Sequence, residues 1–187
     1  MRLLLRGGFA LTLPALAVAL ASCGGDSPEK VDAEDWVADV CDRAADFEEE
    51  FIDAGEPLND IDDRSDPDEI KDAIDQFVED ASDIIDAFIK DVEEIGEPDI
   101  DGGSDVLKAM KEHADERKDI LARFRDDVND LDDDDEDDFR DGVFDLLDDV
   151  DDPDFRDRLE DIDERDVDDL IDMIDEDPAC AGTLFSS

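Results

Sequence analysis

From residue 35 onward, apolar side chains recur at three- and four-residue steps, and acids fill most positions between them. Trp36, Val37, Val40, Cys41, Ala44, Phe47 and Phe51 form the first such stripe and predict a helix over 35–54, stopped by Gly55 and Pro57. A linker carrying Leu58 and Ile61 follows. The second helix has an explicit start, with Asp66 as N-cap, Pro67 in the first helical position and Glu69 three residues after the cap. Its apolar face runs from Ile70 to Ile95, and Gly96 with Pro98 ends it. A third helix opens at Ser104 and carries Leu107, Met110, Ala114, Arg117, Leu121, Phe124, Val128 and Leu131 on alternating steps, a heptad seam. A fourth carries Phe139, Val143, Phe144, Leu147 and Val150, weakened by Gly142. After Asp152-Pro153, Phe155, Leu159 and Ile162, then Val167, Leu170, Ile171 and Ile174, predict a last helical segment broken near Glu164. No stretch alternates as a half-buried strand does, and no repeat of fixed period is present. Short connections set consecutive amphipathic helices antiparallel. The expected fold is therefore all-α: an up-and-down bundle of four main helices closed by a broken C-terminal segment.

The residues before this pattern are of another kind. Arg2 and Arg6 precede an apolar run from Phe9 to Leu20, interrupted only by Thr12 and Pro14, and small Ala21 and Ser22 follow. Twelve helical residues reach about 18 Å, short of a hydrocarbon core of about 30 Å, so a permanent spanning helix is the weaker reading. A cleaved signal explains the charge and the small residues but not Cys23. Leu20-Ala21-Ser22-Cys23 resembles the lipobox of bacterial lipoproteins. The resemblance implies that a peptidase cuts before Cys23, whose thiol carries a diacylglyceryl group. Two acyl chains hold a protein to a membrane stably where one does not. The alternative is a core or disulfide cysteine, but Gly24-Gly25-Asp26-Ser27-Pro28 offers nothing to bury it. No Arg-Arg pair is present, which favours the general secretory route. The organisation expected is a signal peptide over 1–22, a flexible tether over 23–32 with a reach of about 16 Å, and a helical domain over 33–187.

Charge narrows the function classes. The chain carries 65 acids, 17 of them Glu, against 17 Lys and Arg, for a net charge of -48. The leader's Arg2 and Arg6 are its only charges, so losing it makes the balance still more negative. Such a surface repels nucleic-acid phosphates and anionic headgroups. No nucleic-acid partner is expected, and attachment to a membrane has to be covalent. A hydrophobic fraction of 40%, regularly spaced, argues against disorder. Two readings of the acidity remain: adaptation to high salt, which screens self-repulsion, and a loose sink for divalent cations. Acids spread along every segment favour the first.

Export into an oxidising environment makes a Cys41–Cys180 disulfide the natural pairing, with two separate buried thiols as the alternative. It would staple the last segment, with Leu184 and Phe185, beside the first helix.

Catalytic and metal chemistry find little support. His113 is the sole histidine, lies between Glu112 and Ala114, and reads as a surface or boundary residue of its helix. Zinc lacks a ligand set, and carboxylate pairs are too numerous to identify a glycosidase-type site. Glu97 to Lys108 resembles a calcium loop in its alternating acids before Gly102, but Lys108 stands where a bidentate Glu belongs, so a helix stop, a turn and an N-cap is the plainer reading. The acid run from Asp132 to Asp138 reads as a solvated face favoured by the dipole of the helix it precedes. Lys108, Lys111, Arg117, Lys118, Arg123 and Arg125 concentrate base on the third helix. They read as internal partners for neighbouring acids, with a docking face as the alternative and Arg117 on the seam the residue expected to pair internally.

As a whole the chain resembles the small secreted helical lipoproteins of actinobacteria, in its lipobox, its cysteine in the first helix, its amphipathic helices and its cysteine near the C-terminus. That likeness supplies no activity. The functional expectation is a nonenzymatic, membrane-anchored extracytoplasmic module of the cell envelope that binds an unidentified envelope protein, without catalytic residues or a cofactor. The alternative is a surface protein that binds or buffers divalent cations, weakly and nonspecifically.

Overall fold

The computed structural model describes residues 28–59, 61, 65–148, 155–162, 165–181 and 183. The leader, Cys23, Val150, Glu164, Leu184 and Phe185 lie outside them. The described elements are β1 (Lys30–Val31), α1 (Ala33–Ala54), α2 (Glu56–Asn59), α3 (Pro67–Ile95), β2 (Glu97–Pro98), α4 (Gly103–Asn129), α5 (Glu136–Asp148), α6 (Phe155–Glu160) and α7 (Arg165–Glu176). The all-α class holds; α2 is one turn of helix within the stretch expected to be a linker, and the elements differ from expectation in four further places.

The first difference is a minimal parallel sheet. Lys30 pairs with Glu97 and Val31 with Pro98. Glu97 N–H donates to the Glu29 carbonyl at 2.9 Å and Asp99 N–H to that of Val31 at 2.6 Å. Only alternate residues donate, so Pro98 sits between them without needing an N–H. Two-residue strands are too short to show alternation, and Lys30 and Val31 stand at the end of the segment expected to be a tether. The second difference is the start of α4. Its N-cap is Gly102 at φ 88°, with no side-chain cap, and Ser104 lies exposed inside the helix.

The other starts follow the local chemistry. Asp32 caps α1 by accepting from Glu34 N–H at 3.1 Å. The capping box of α3 is complete, with Asp66 accepting from Glu69 N–H at 3.0 Å and Glu69 accepting from Asp66 N–H at 3.3 Å. Gly96 ends α3 at φ 110° and ψ -161°, a region almost reserved for glycine, and a Cβ there would overlap the Glu29 carbonyl. This residue joins the helix end to the strand pair. Its carbonyl also accepts from the buried Trp36 Nε1–H at 3.0 Å.

The three long helices form the frame. Trp36 meets Gly96 at one end of α1 and Phe51 meets Phe77 at the other, so α1 and α3 are antiparallel. Ion pairs fix α3 against α4 in the same sense: Lys111 with Glu93, Lys118 with Asp86 at 2.6 Å, and Arg125 with Asp75 at 3.9 Å. The three bases repeat every seven residues, the spacing that keeps one helix edge facing its neighbour. The core divides into two clusters along this frame. At the strand end, Trp36, Val40, Cys41, Val92, Val106 and Leu170 are almost fully enclosed. At the far end, Ile70, Ile74, Val78, Val128, Phe139 and Val143 form the second cluster, and Leu121 touches both.

The third difference concerns the fourth helix. Only α1, α3 and α4 are long, at 22, 29 and 27 residues. The 13-residue α5 covers the far end of α3 and α4 alone, while α7 packs on α1 at the strand end. Cys41 and Cys180 are joined in a disulfide with Cα atoms 4.8 Å apart, binding the segment after α7 to α1. The α6 helix bridges α4 and α7, through Arg158 to Glu116 on one side and a two-pronged Arg156–Asp175 pair at 2.7 and 2.8 Å on the other.

The fourth difference is the exposure of Phe144 and Leu147, expected on the buried face of α5 but 59% and 51% accessible.

Candidate functional site

At 100° per residue, Phe139, Val143 and Leu146 of α5 fall within about 60° of one another. Leu147 lies about 80° and Phe144 about 140° from Phe139. The apolar arc of α5 is thus wider than the surface that α3 and α4 offer it. Phe139 and Val143 enter the core, and Phe144 and Leu147 overhang its edge. Beneath the overhang lies a cleft of about 460 Å³. Ile70 and Ile74 of α3, Phe124 of α4, and Leu58 and Ile61 line it together with α5. The size falls within the range of ligand-binding clefts.

Arg140 is the one charged residue in that lining. Its guanidinium reaches the Asp137 carboxylate at 3.3 Å and the Ser65 carbonyl at 3.4 Å, tying α5 to the start of α3. Ile61 also lines a second depression of about 350 Å³, whose other residues include Ser65, Glu69, Asp72 and Gln76. An apolar hollow and an acid-bearing one therefore adjoin across a single isoleucine.

The residues singled out in the sequence have other surroundings. His113 is buried, not at the surface: its ring lies 5.4 Å from that of Phe155, in the wall of a narrow void with Phe47, Phe88 and Met110. The α6 helix covers it, and nothing in the periodicity of α4 announced that cover. Arg117 borders the same void, half-buried on the seam. Three of the α4 bases meet acids of the neighbouring helix in the ladder to α3, as expected, whereas Lys108 pairs with Glu112 at 3.6 Å and Arg123 donates to the Asp119 carbonyl at 3.2 Å, both within α4 itself.

In the calcium-like loop, Lys30 holds Glu97 at 3.9 Å and Asp99 at 3.1 Å, and the Asp101 N–H donates to Asp166. Two of its acids thus serve the strand pair. In the acid run, carboxylate oxygens of Asp132, Asp133 and Asp134 lie within 4.8 Å of one another, all exposed. Lys71 hydrogen-bonds Asp133 at 2.8 Å and lowers its pKa. Arg156 does the same to Asp175. A general acid working at neutral pH needs a carboxyl raised, and these two move the other way.

The exposure of Phe144 and Leu147, like the burial of His113, is a feature that sequence periodicity missed. The signal was present in the angular width of the α5 stripe, but deciding which edge stays outside needs the shape of the partner helices.

Among the described residues, no helix is long and apolar enough to cross a membrane. No protein-family model matches the chain, and neither a curated protein nor a solved structure matches it.

Proposed function

We propose that this chain is a nonenzymatic interaction module, held by a diacylglyceryl group on Cys23 at the extracytoplasmic face of a membrane, and that the α5 cleft is where it meets a partner protein. The anchor rests on Leu20-Ala21-Ser22-Cys23 and the charged, apolar leader before it. The Cys41–Cys180 disulfide supports an oxidising compartment. The observation that carries the reading is the pair Phe144 and Leu147, exposed side by side over an apolar cleft, whereas the other exposed large apolar side chain among the described residues, Ile52, does not line it. Contiguous apolar surface of this kind marks interaction sites in soluble domains.

The test is photocrosslinking in intact cells from a reactive side chain placed at Leu147, with one at exposed Asp172 as control. A discrete adduct formed from position 147 and lost on Phe144→Asp is the result expected. No adduct from 147, or the same adduct from both positions, contradicts the reading.

A second reading, divalent-cation binding, has the convergence of Asp132, Asp133 and Asp134 in its favour. Titration calorimetry with calcium separates the two: saturable binding at micromolar concentration supports cation binding, and heat that vanishes in physiological salt opposes it.

A further inference from the structure

We propose that the occupant of the α5 cleft is a basic amphipathic helix: a partner segment whose apolar side chains fill the hollow under Phe144 and Leu147 and whose lysines or arginines reach Glu69 and Asp72. The inference rests on the interaction reading above and adds the chemistry of the partner.

Three observations select this occupant. The hollow is apolar, lined by Leu58, Ile61, Phe124, Phe144 and Leu147 over the buried edge of Ile70, Ile74 and Val143. Its neighbour across Ile61 carries Glu69 and Asp72, both exposed. An apolar anchor and a cationic flank on one short segment therefore match two adjoining surfaces at once, the arrangement by which grooves read amphipathic helices. The third is the field of the molecule. At a net charge of -48, a second copy brings the same acids to the same place, and an anionic bilayer surface is repelled as well. A cationic segment is drawn in from a distance, and its apolar face then decides where it stops.

Arg140 does not oppose this. Asp137 and the Ser65 carbonyl already engage its guanidinium, which leaves Glu69 and Asp72 to set the local sign.

The test uses the oxidised, folded chain from Cys23 onward and three fluorescent peptides of about 14 residues, about four helical turns. The first places leucines on one helical face and lysines on the other. The second scrambles that composition. The third replaces each lysine by glutamate. Binding is read by anisotropy in about 0.5 M salt, where the screening length is only a few Å and diffuse attraction is suppressed.

The first peptide is expected to bind about tenfold or more tightly than the other two, and Phe144→Ala/Leu147→Ala to remove that preference. Both side chains are exposed, so the unfolding midpoint in urea should stay unchanged. Glu69→Gln/Asp72→Asn should weaken the first peptide and leave the third unaffected. Equal binding of the first and scrambled peptides overturns the proposal in favour of diffuse charge attraction. Equal binding of the first and third overturns it in favour of a purely apolar site. A dimer in sedimentation that Phe144→Ala/Leu147→Ala abolishes overturns it in favour of a second copy. If the peptides fail while the Leu147 crosslink in cells persists, the partner chemistry is wrong and the interaction reading stands.

Discussion

At the scale of single residues, the account depends on a few positions where backbone or charge leaves little choice. Gly96 is one, since its φ of 110° and the nearby Glu29 carbonyl both exclude a side chain. Gly96→Ala is expected to lower stability by about 2 kcal/mol in urea unfolding and to expose the Glu97 and Asp99 amides to hydrogen exchange. A neutral substitution would show that the strand pair is dispensable. Asp175 is another. Arg156 hydrogen-bonds its carboxylate and holds its pKa below the ordinary 3.8. A carboxyl lowered by folding contributes stability that is present above its unfolded pKa and is lost as pH falls through the lower folded value. Carbon-detected NMR should therefore place the Asp175 midpoint below 3.8, and Arg156→Gln should return it to the ordinary range. A midpoint at or above 3.8 in the native protein contradicts the pairing.

At the scale of elements, the disulfide joins α1 to the segment after α7 across a separation of 139 residues. In the chain-entropy model, closing a loop of that length contributes about 5 kcal/mol, an upper estimate. Cys41→Ser, Cys180→Ser and the double variant should each lose about the same stability, about 2–5 kcal/mol, because any of them opens one bond. A double variant as stable as the native protein would remove the staple from the account. How much of this level was legible varies with the signal. The α3 helix could be read almost residue by residue, because Asp66, Pro67 and Glu69 write its start and eleven apolar positions write its face. The bases of α4 were legible as internal partners only in general, since an acidic neighbour was certain; the ladder of Lys111, Lys118 and Arg125 to α3 needed the packed helices to show it. The burial of His113 was not, because α6 supplies its cover from more than 40 residues away in the chain, and local spacing carries no trace of that contact. The cleft was hidden for a related reason. Phe144 and Leu147 belong to the same stripe as Phe139 and Val143, and only the width of the facing surface separates core from overhang.

At the scale of the molecule, the acid coat sets how stability responds to solution conditions. Self-repulsion among 65 acids weakens as ions screen it, from a reach of about 10 Å at 0.1 M to about 3 Å at 1 M salt. Raising sodium chloride over that range should raise the Tm, and magnesium chloride at matched ionic strength should do no more. A selective rise at micromolar calcium would instead favour the cation-binding reading. The same charge bears on the proposed attachment to a membrane: an anionic surface repels this bundle, so an attachment there would have to be covalent. The proposed location rests on that proposed anchor more than on any other single feature. The most direct measurement is the intact mass of the N-terminal peptide from protein isolated from its native host. The account predicts a peptide that begins at Cys23 and carries a diacylglyceryl group. A leader still joined through Met1, with an unmodified Cys23 thiol, would contradict it.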